Sequence, residues 1–163
     1  MQGRNPAYSF IAVSKLTSKA LVFFSFAQVS PQDKDALVNL GNCHMSLNNF
    51  EKSVAAYHDA LALDPSCVMS HYNLASAHHA AATTATDEAT ATEHYAAAKN
   101  EFLEAIRLNG DYADAYFNLG ICHQDEQAFD QARAMYTKAL ELQPGMTEAI
   151  EALNELNKTT GYS

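Results

Sequence analysis

Three asparagines, Asn39, Asn73 and Asn118, recur 34 and then 45 residues apart, each followed by a leucine. A carboxamide carries two N–H donors and an acceptor oxygen, so it can pair with both polar groups of a peptide unit. Asparagine also costs a helix roughly half a kcal/mol relative to alanine, so helix propensity does not explain its choice. The chemistry on offer is recognition of a peptide backbone. Two other accounts stand beside it: the amides bond between neighbouring helices, or the asparagine was copied along with the unit that carries it.

The seven histidines and three cysteines suggest a metal or a nucleophile. Cys43-His44 and Cys122-His123 are adjacent in sequence, and neighbouring residues on a helix point about 100° apart, so neither pair chelates as Cys-x-x-Cys does. His44, His78 and His123 read as core-packing side chains. There is no G-x-S-x-G, no phosphate loop and no H-E-x-x-H, the patterns that place a nucleophile, a nucleotide or a zinc ion. The expectation is a chain without enzymatic activity, cofactor or metal. The carboxylates Glu51, Asp125, Glu126 and Asp130 read as solvated faces.

Formal charge is -9, and the ten Lys and Arg form no basic stripe. Nucleic acid and anionic membranes are therefore disfavoured as partners, since both need cations to displace counterions. Three cysteines, Cys43, Cys67 and Cys122, make no even disulfide framework and read as buried thiols of a reducing compartment. No run reaches the ~18 apolar residues of a membrane span. "ALVFFSFA", at 20–27, has the outline of a secretory leader, but its apolar stretch is short and its polar lead long. The expected location is cytoplasmic, with the nucleus as the alternative.

These residues must be positioned by something regular. "LVNLGNCHMSLNNFEKSVAAYHDALALDP", at 37–65, and "YFNLGICHQDEQAFDQARAMYTKALELQP", at 116–144, agree at twelve of 29 positions without a gap. A third copy lies between them. "HYNLASAHH" aligns with the first at an offset of 34, and "YAAAKNEFLEAIRLNG" at an offset of 45, so the middle copy carries eleven extra residues. Each unit reads as two helices. Leu37, Leu40, Gly41 and His44 share one helical face, and Phe50, Val54, Tyr57 and Leu61 share the next. The unit stops at Asp64-Pro65, because proline disfavours helical geometry in the residue before it.

The pattern resembles the tetratricopeptide repeat (TPR) family. Small residues stand at the eighth repeat position (Gly41, Ala75, Gly120) and the twentieth (Ser53, Ala98, Ala132). An aromatic stands at the twenty-fourth (Tyr57, Phe102, Tyr136) and alanine at the twenty-seventh (Ala60, Ala105, Ala139), and the units close on Pro65, Gly110 and Pro144. Small residues let paired helices approach closely while the aromatic fills the space beside them. The family's fourth-position tryptophan is replaced by Leu37, His71 and Tyr116, and its eleventh-position tyrosine by His44, His78 and His123. The resemblance implies an all-α fold, an α–α superhelix (TPR solenoid) of three helix-turn-helix repeats and a C-terminal capping helix.

The expected organisation is a flexible N-terminus at 1–13, a lone helix of an incomplete repeat at 14–30, and TPR units at 34–67, 68–112 and 113–146. A capping helix at 147–157 and a tail at 158–163 follow. The eleven-residue insertion, near 80–93, reads either as extra turns on both helices of the middle unit or as a flexible Ala/Thr loop.

In this family the first helix of each unit lines the concave groove, and the sixth repeat position faces it. That implication places Asn39, Asn73 and Asn118 in the groove, similar to the asparagine ladder in the TPR superhelix of O-linked N-acetylglucosamine transferase. Asp35, Asn42, Tyr72, Ser76, Asp114 and Phe117 complete the expected peptide-binding groove. Packed helices lie about 10 Å apart and an extended peptide advances ~3.3 Å per residue, so one rung would serve every few ligand residues. A carboxylate clamp for acidic tails needs cations on these helices, and its basic positions hold Val38, Asp114 and Asn118. The expected partner is therefore a protein or peptide segment, neutral or basic, held by a non-catalytic scaffold or adaptor. Self-association through the N-terminal helix is a further expectation. Two alternatives stay open: the convex face or the long middle hairpin docks a large folded complex, or the chain is the docking part of an enzyme whose catalytic domain lies elsewhere.

Overall fold

The computed structural model describes residues 33–161; the helix expected at 14–30 lies outside them. Among the described residues there are seven α-helices and no strand: α1 Lys34–Ser46, α2 Phe50–Leu63, α3 Val68–Thr84, α4 Glu88–Leu108, α5 Ala113–Asp125, α6 Phe129–Leu142 and α7 Thr147–Thr160. The chain divides after Pro65 into two compact units.

In the first unit, the Asp33 carboxylate accepts the N–H groups of Asp35 and Ala36 at 3.0 and 3.2 Å. It thereby satisfies two of the donors that every helix start leaves open. A three-residue turn reverses the chain between α1 and α2, with Asn48 at its centre in the left-handed region (φ 56°), which asparagine tolerates better than most residues. Close approach of the two helices is then forced at Gly41. A Cβ there would overlap the Tyr57 ring, and Ser53 donates its hydroxyl to the Gly41 carbonyl at 2.9 Å. The Tyr57 hydroxyl donates to Asn42 Oδ1 at 2.6 Å. Burial pushes the phenol up to about 12. Helix α2 ends at Asp64, whose extended backbone (φ -143°, ψ 90°) is what a following proline demands.

The second unit repeats this plan. Gly120 meets Tyr136 as Gly41 meets Tyr57, and the Tyr136 hydroxyl donates to Gln124 Oε1 at 2.8 Å. In the longer pair, Ala75 and Phe102 take these two places, both buried in one cluster with Ala98, Ala105, Ala115, Leu119 and Cys122. Where the small residue keeps a Cβ, the ring across from it lacks a hydroxyl.

The inserted residues are helical. α3 has 17 residues against 13 in α1 and α5, and α4 has 21 against 14 in α2 and α6. The gains of four and seven account for the eleven inserted residues, and the connecting turn keeps its three-residue length. Four and seven residues are close to one and two full helical turns, so the inward faces keep their phase to the tip. Ala81 and Ala82 are accordingly buried. Asp87 caps α4, accepting the Thr90 N–H at 2.8 Å.

Helix α7 covers the far side of α6. Leu156 packs on Ala132 and Tyr136, with Ala152 and Leu153 beside it. Arg133 reaches across from α6, donating to Asn157 Oδ1 at 3.0 Å and Thr160 Oγ1 at 2.9 Å. Gly161 ends the helix in the left-handed conformation (φ 69°), the usual glycine stop.

Candidate functional site

The expected binding residues fall on the first helix of each pair. Asp35, Asn39 and Asn42 lie on α1, Tyr72, Asn73 and Ser76 on α3, and Asp114, Phe117 and Asn118 on α5. Asn39, Asn73 and Asn118 are each half-buried.

Four of these residues converge in the second unit. Tyr72, Asp114, Phe117 and Asn118 line an open cleft of about 280 Å³, together with Gln143, Met146 and Glu148. Tyr72 has two aromatic neighbours, Phe102 at 5.7 Å edge-on and Tyr112 at 5.0 Å. Phe117 stacks obliquely on Tyr136 at 5.7 Å. Asn118 donates through Nδ2 to Tyr72 Oη at 3.0 Å and to the Asp114 carbonyl at 2.9 Å. Both amide hydrogens are thus spent inside the protein, and the amide oxygen is the group left for a ligand. Burial and then the Asp114 carboxylate hold the Tyr72 phenol above its ordinary value. Burial, then Tyr72 and Asp114, push Tyr112 up to about 12. The cleft therefore presents one neutral phenol, Tyr72, beside the carboxylates of Asp114 and Glu148.

The other expected residues do different things. Asn42 accepts the Tyr57 hydroxyl, and Ser76 donates to the Tyr72 carbonyl one turn back at 2.9 Å. Asp35 is exposed at the start of α1. Gln143, Met146 and Glu148 stand outside the expected set. A signal for Glu148 does exist, because it lies 34 residues beyond Asp114: the repeat register runs on into the capping helix.

The histidines and acids away from the cleft tie helices together. A ring nitrogen of His71 lies 2.7 Å from Glu101, and one of His79 lies 2.8 Å from Asp125. Lys99 pairs with Glu126. His78 and His94 share a hydrogen bond between their Nδ1 atoms at 3.0 Å. Asp125 and Glu126, read from sequence as solvated, therefore join α5 to the middle pair, and Asp130 pairs with Arg133 at 2.9 Å. Burial lowers His44 and His123 below their ordinary values, with Lys52 and Lys99 respectively adding to it. Burial also raises the Cys43 thiol and pushes Cys122 up to about 12. A thiol in that state is not a poised nucleophile. Among the described residues, no group of three or more His, Cys, Asp or Glu is placed to hold a metal ion. No helix among them is long and apolar enough to cross a membrane.

Comparison with known proteins agrees with this architecture. The tetratricopeptide repeat family matches residues 35–67 and 113–146, and the chain carries those repeats. The probable UDP-N-acetylglucosamine–peptide N-acetylglucosaminyltransferase SPINDLY of Hordeum vulgare is 29% identical over 133 residues. That match takes in 79% of this chain, which spans 13% of the barley protein's length. Among solved structures, a thermophilic TPR protein of Thermus thermophilus superposes with a TM-score of 0.79 at 22% identity, covering 95% of this chain and 79% of that one. The first TPR of Spaghetti (RPAP3), bound to the HSP90 peptide SRMEEVD, superposes with a TM-score of 0.68 at 23% identity, covering 80% and 94%. The shared feature is the fold, an all-α helical-repeat solenoid.

Proposed function

We propose that this chain of tetratricopeptide repeats is a non-catalytic interaction scaffold that holds a neutral or basic peptide segment of a partner protein on the first-helix faces. The observation that carries this reading is the cleft of Tyr72, Asp114, Phe117 and Asn118. It combines aromatic walls for a peptide side chain with an amide oxygen for a peptide N–H. Asn73 on α3, and Asn39 on α1 of the first unit, occupy the same repeat position as Asn118 and are assigned the same task. The Spaghetti repeat was solved with an acidic peptide. Here the cleft lining has two carboxylates and no Lys or Arg, so like-charge repulsion turns such a sequence away. The proposed location is cytoplasmic or nuclear.

The test is selection from a displayed library of random dodecapeptides by the purified chain, repeated with the N39A, N73A and N118A triple variant after circular dichroism shows it folded. The reading expects peptides enriched by the wild type and lost by the variant. Undiminished binding by the folded variant would move the site to another face, with the long α3–α4 hairpin the next place to look.

The similarity to the barley glycosyltransferase supports a second reading, in which the chain docks substrates for a catalytic domain encoded beside it. Sequencing the complete transcript and assaying its product for sugar transfer to peptides separates this from a free-standing scaffold.

A further inference from the structure

The cleft has a definite chemical character, and the geometry points to a pocket for a single cationic side chain, the lysine or arginine of a bound peptide, received between Asp114 and Glu148 over the rings of Tyr72 and Phe117. This rests on the peptide-binding reading above and goes beyond it by naming what one subsite selects.

Hydrogen-bonding capacity is the first argument. Asn118 has already given both amide hydrogens to Tyr72 and to the Asp114 carbonyl. It keeps an acceptor, and the carboxylates of Asp114 and Glu148 are acceptors only. The Tyr72 hydroxyl and the Gln143 amide can also donate, but the charged groups of the lining are acceptors and call for a donor-rich ligand, and guanidinium and ammonium groups are all donors.

Charge is the second. The lining holds two acids and no Lys, Arg or His, and neither acid has an ion pair among the described residues. Asp114 lies in the first turn of α5 and Glu148 in the first turn of α7. Acids there complement the positive ends of the helices, so the anion site that two helix starts would otherwise offer is already filled from within.

Shape is the third. At about 280 Å³ the cleft lies just below the ~300–1,000 Å³ of small-molecule sites, so it suits one long side chain better than a cofactor. Met146 is buried at its edge. Aromatic rings and a thioether accept the aliphatic stem of lysine or arginine, and ring faces attract the charged head.

The direct test is an NMR titration of the full chain, labelled with ¹⁵N, using Nα-acetylarginine amide and its uncharged isostere Nα-acetylcitrulline amide. The arginine compound should shift the Asn118 side-chain amide and the backbone signals of residues 114–118 and 146–148 saturably. Affinity should weaken about tenfold in the D114N and E148Q double variant, the loss expected when charge-assisted hydrogen bonds become neutral ones. Equal shifts from citrulline, or shifts confined to other residues, overturn the pocket. The peptide library discriminates further. Peptides selected by wild type should be enriched in Arg and Lys, and those selected by the double variant should not. Selection without that enrichment overturns the pocket and leaves peptide binding standing. Selection of no peptide at all overturns the scaffold reading, and the arginine titration still decides the pocket on its own.

Discussion

A Cβ placed on Gly120 would lie 2.6 Å from Cε1 of Tyr136 and 3.3 Å from the Cβ of Met135. The ring occupies the space a side chain would need, and its hydroxyl is held by Gln124 at 2.8 Å. Gly41 and Tyr57 stand in the same relationship, with Asn42 in place of Gln124. Within each unit these contacts hold the two helices of a pair together, and with them the first helix that carries the asparagine.

Gly120→Ala should therefore destabilise the protein, although alanine is the better helix former by roughly 1 kcal/mol. Overpacking costs about 1–3 kcal/mol, so after that gain is subtracted a net loss of up to about 2 kcal/mol is expected by urea denaturation. Gly145→Ala, where nothing lies within 4 Å, should be close to neutral. Removing the tethered hydroxyl should free the ring to shift, and the buried pair of Ala75 and Phe102 already combines a Cβ with a ring that lacks a hydroxyl. The G120A and Y136F double variant should be less destabilised than the two single changes summed. Strict additivity would contradict this account of the pair.

The turn between α5 and α6 places Gln127 in the left-handed region (φ 61°), which costs a residue with a Cβ roughly 1–2 kcal/mol. Gln127→Gly should stabilise the fold by a few tenths to about 1 kcal/mol, after glycine's greater freedom in the unfolded chain is offset. A lower urea midpoint in the variant would show that the turn carries no such strain.

Two half-buried histidines set an acid limit. Burial, reinforced by Lys52 for His44 and Lys99 for His123, lowers both below their ordinary 6.5. The unfolded chain then takes up those protons first, so stability is unaffected above about pH 6.5 and falls as pH drops below it. The H44F and H123F double variant should lose less melting temperature than wild type between pH 7.5 and pH 5.5. Parallel losses in the two proteins would refute the assignment.

The cysteines should separate by reactivity. Cys43 and Cys122 are buried with raised thiols, and Cys67 is half-buried. Since the thiolate is the reacting species, iodoacetamide at neutral pH should modify Cys67 in the native protein, and Cys43 and Cys122 only after denaturation. Mass spectrometry of tryptic peptides reads this directly, and rapid native labelling of Cys122 would contradict the packing described for α5.

The helix pairs were legible because their physics is local and repeated. A 3.6-residue period, a small residue opposite an aromatic, and a proline or glycine stop all recur at fixed offsets. The middle insertion was ambiguous, because an Ala/Thr-rich string suits both helix and loop; what decides it is that gains of four and seven residues keep the apolar faces in phase. The ties from His79 to Asp125 and from Lys99 to Glu126 span 46 and 27 residues, and no periodic pattern announces side chains that meet over such distances. The cleft was half legible. Family register pointed to Tyr72, Asp114, Phe117 and Asn118, but nothing in the sequence shows that Asn118 spends its donors on a tyrosine 46 residues away. Glu148 could have been found by carrying the 34-residue step once more, beyond the last complete unit.

The central claim is that a peptide is bound by the faces that carry Asn39, Asn73 and Asn118. Its most direct test is the ¹⁵N spectrum of the full chain during titration with the dodecapeptide most enriched in the library selection. The account predicts saturable shifts of the three asparagine side-chain amides and of the backbone around Tyr72 and Phe117. Shifts concentrated instead on the exposed residues of α2, α4 and α6, with those amides unmoved, would contradict it.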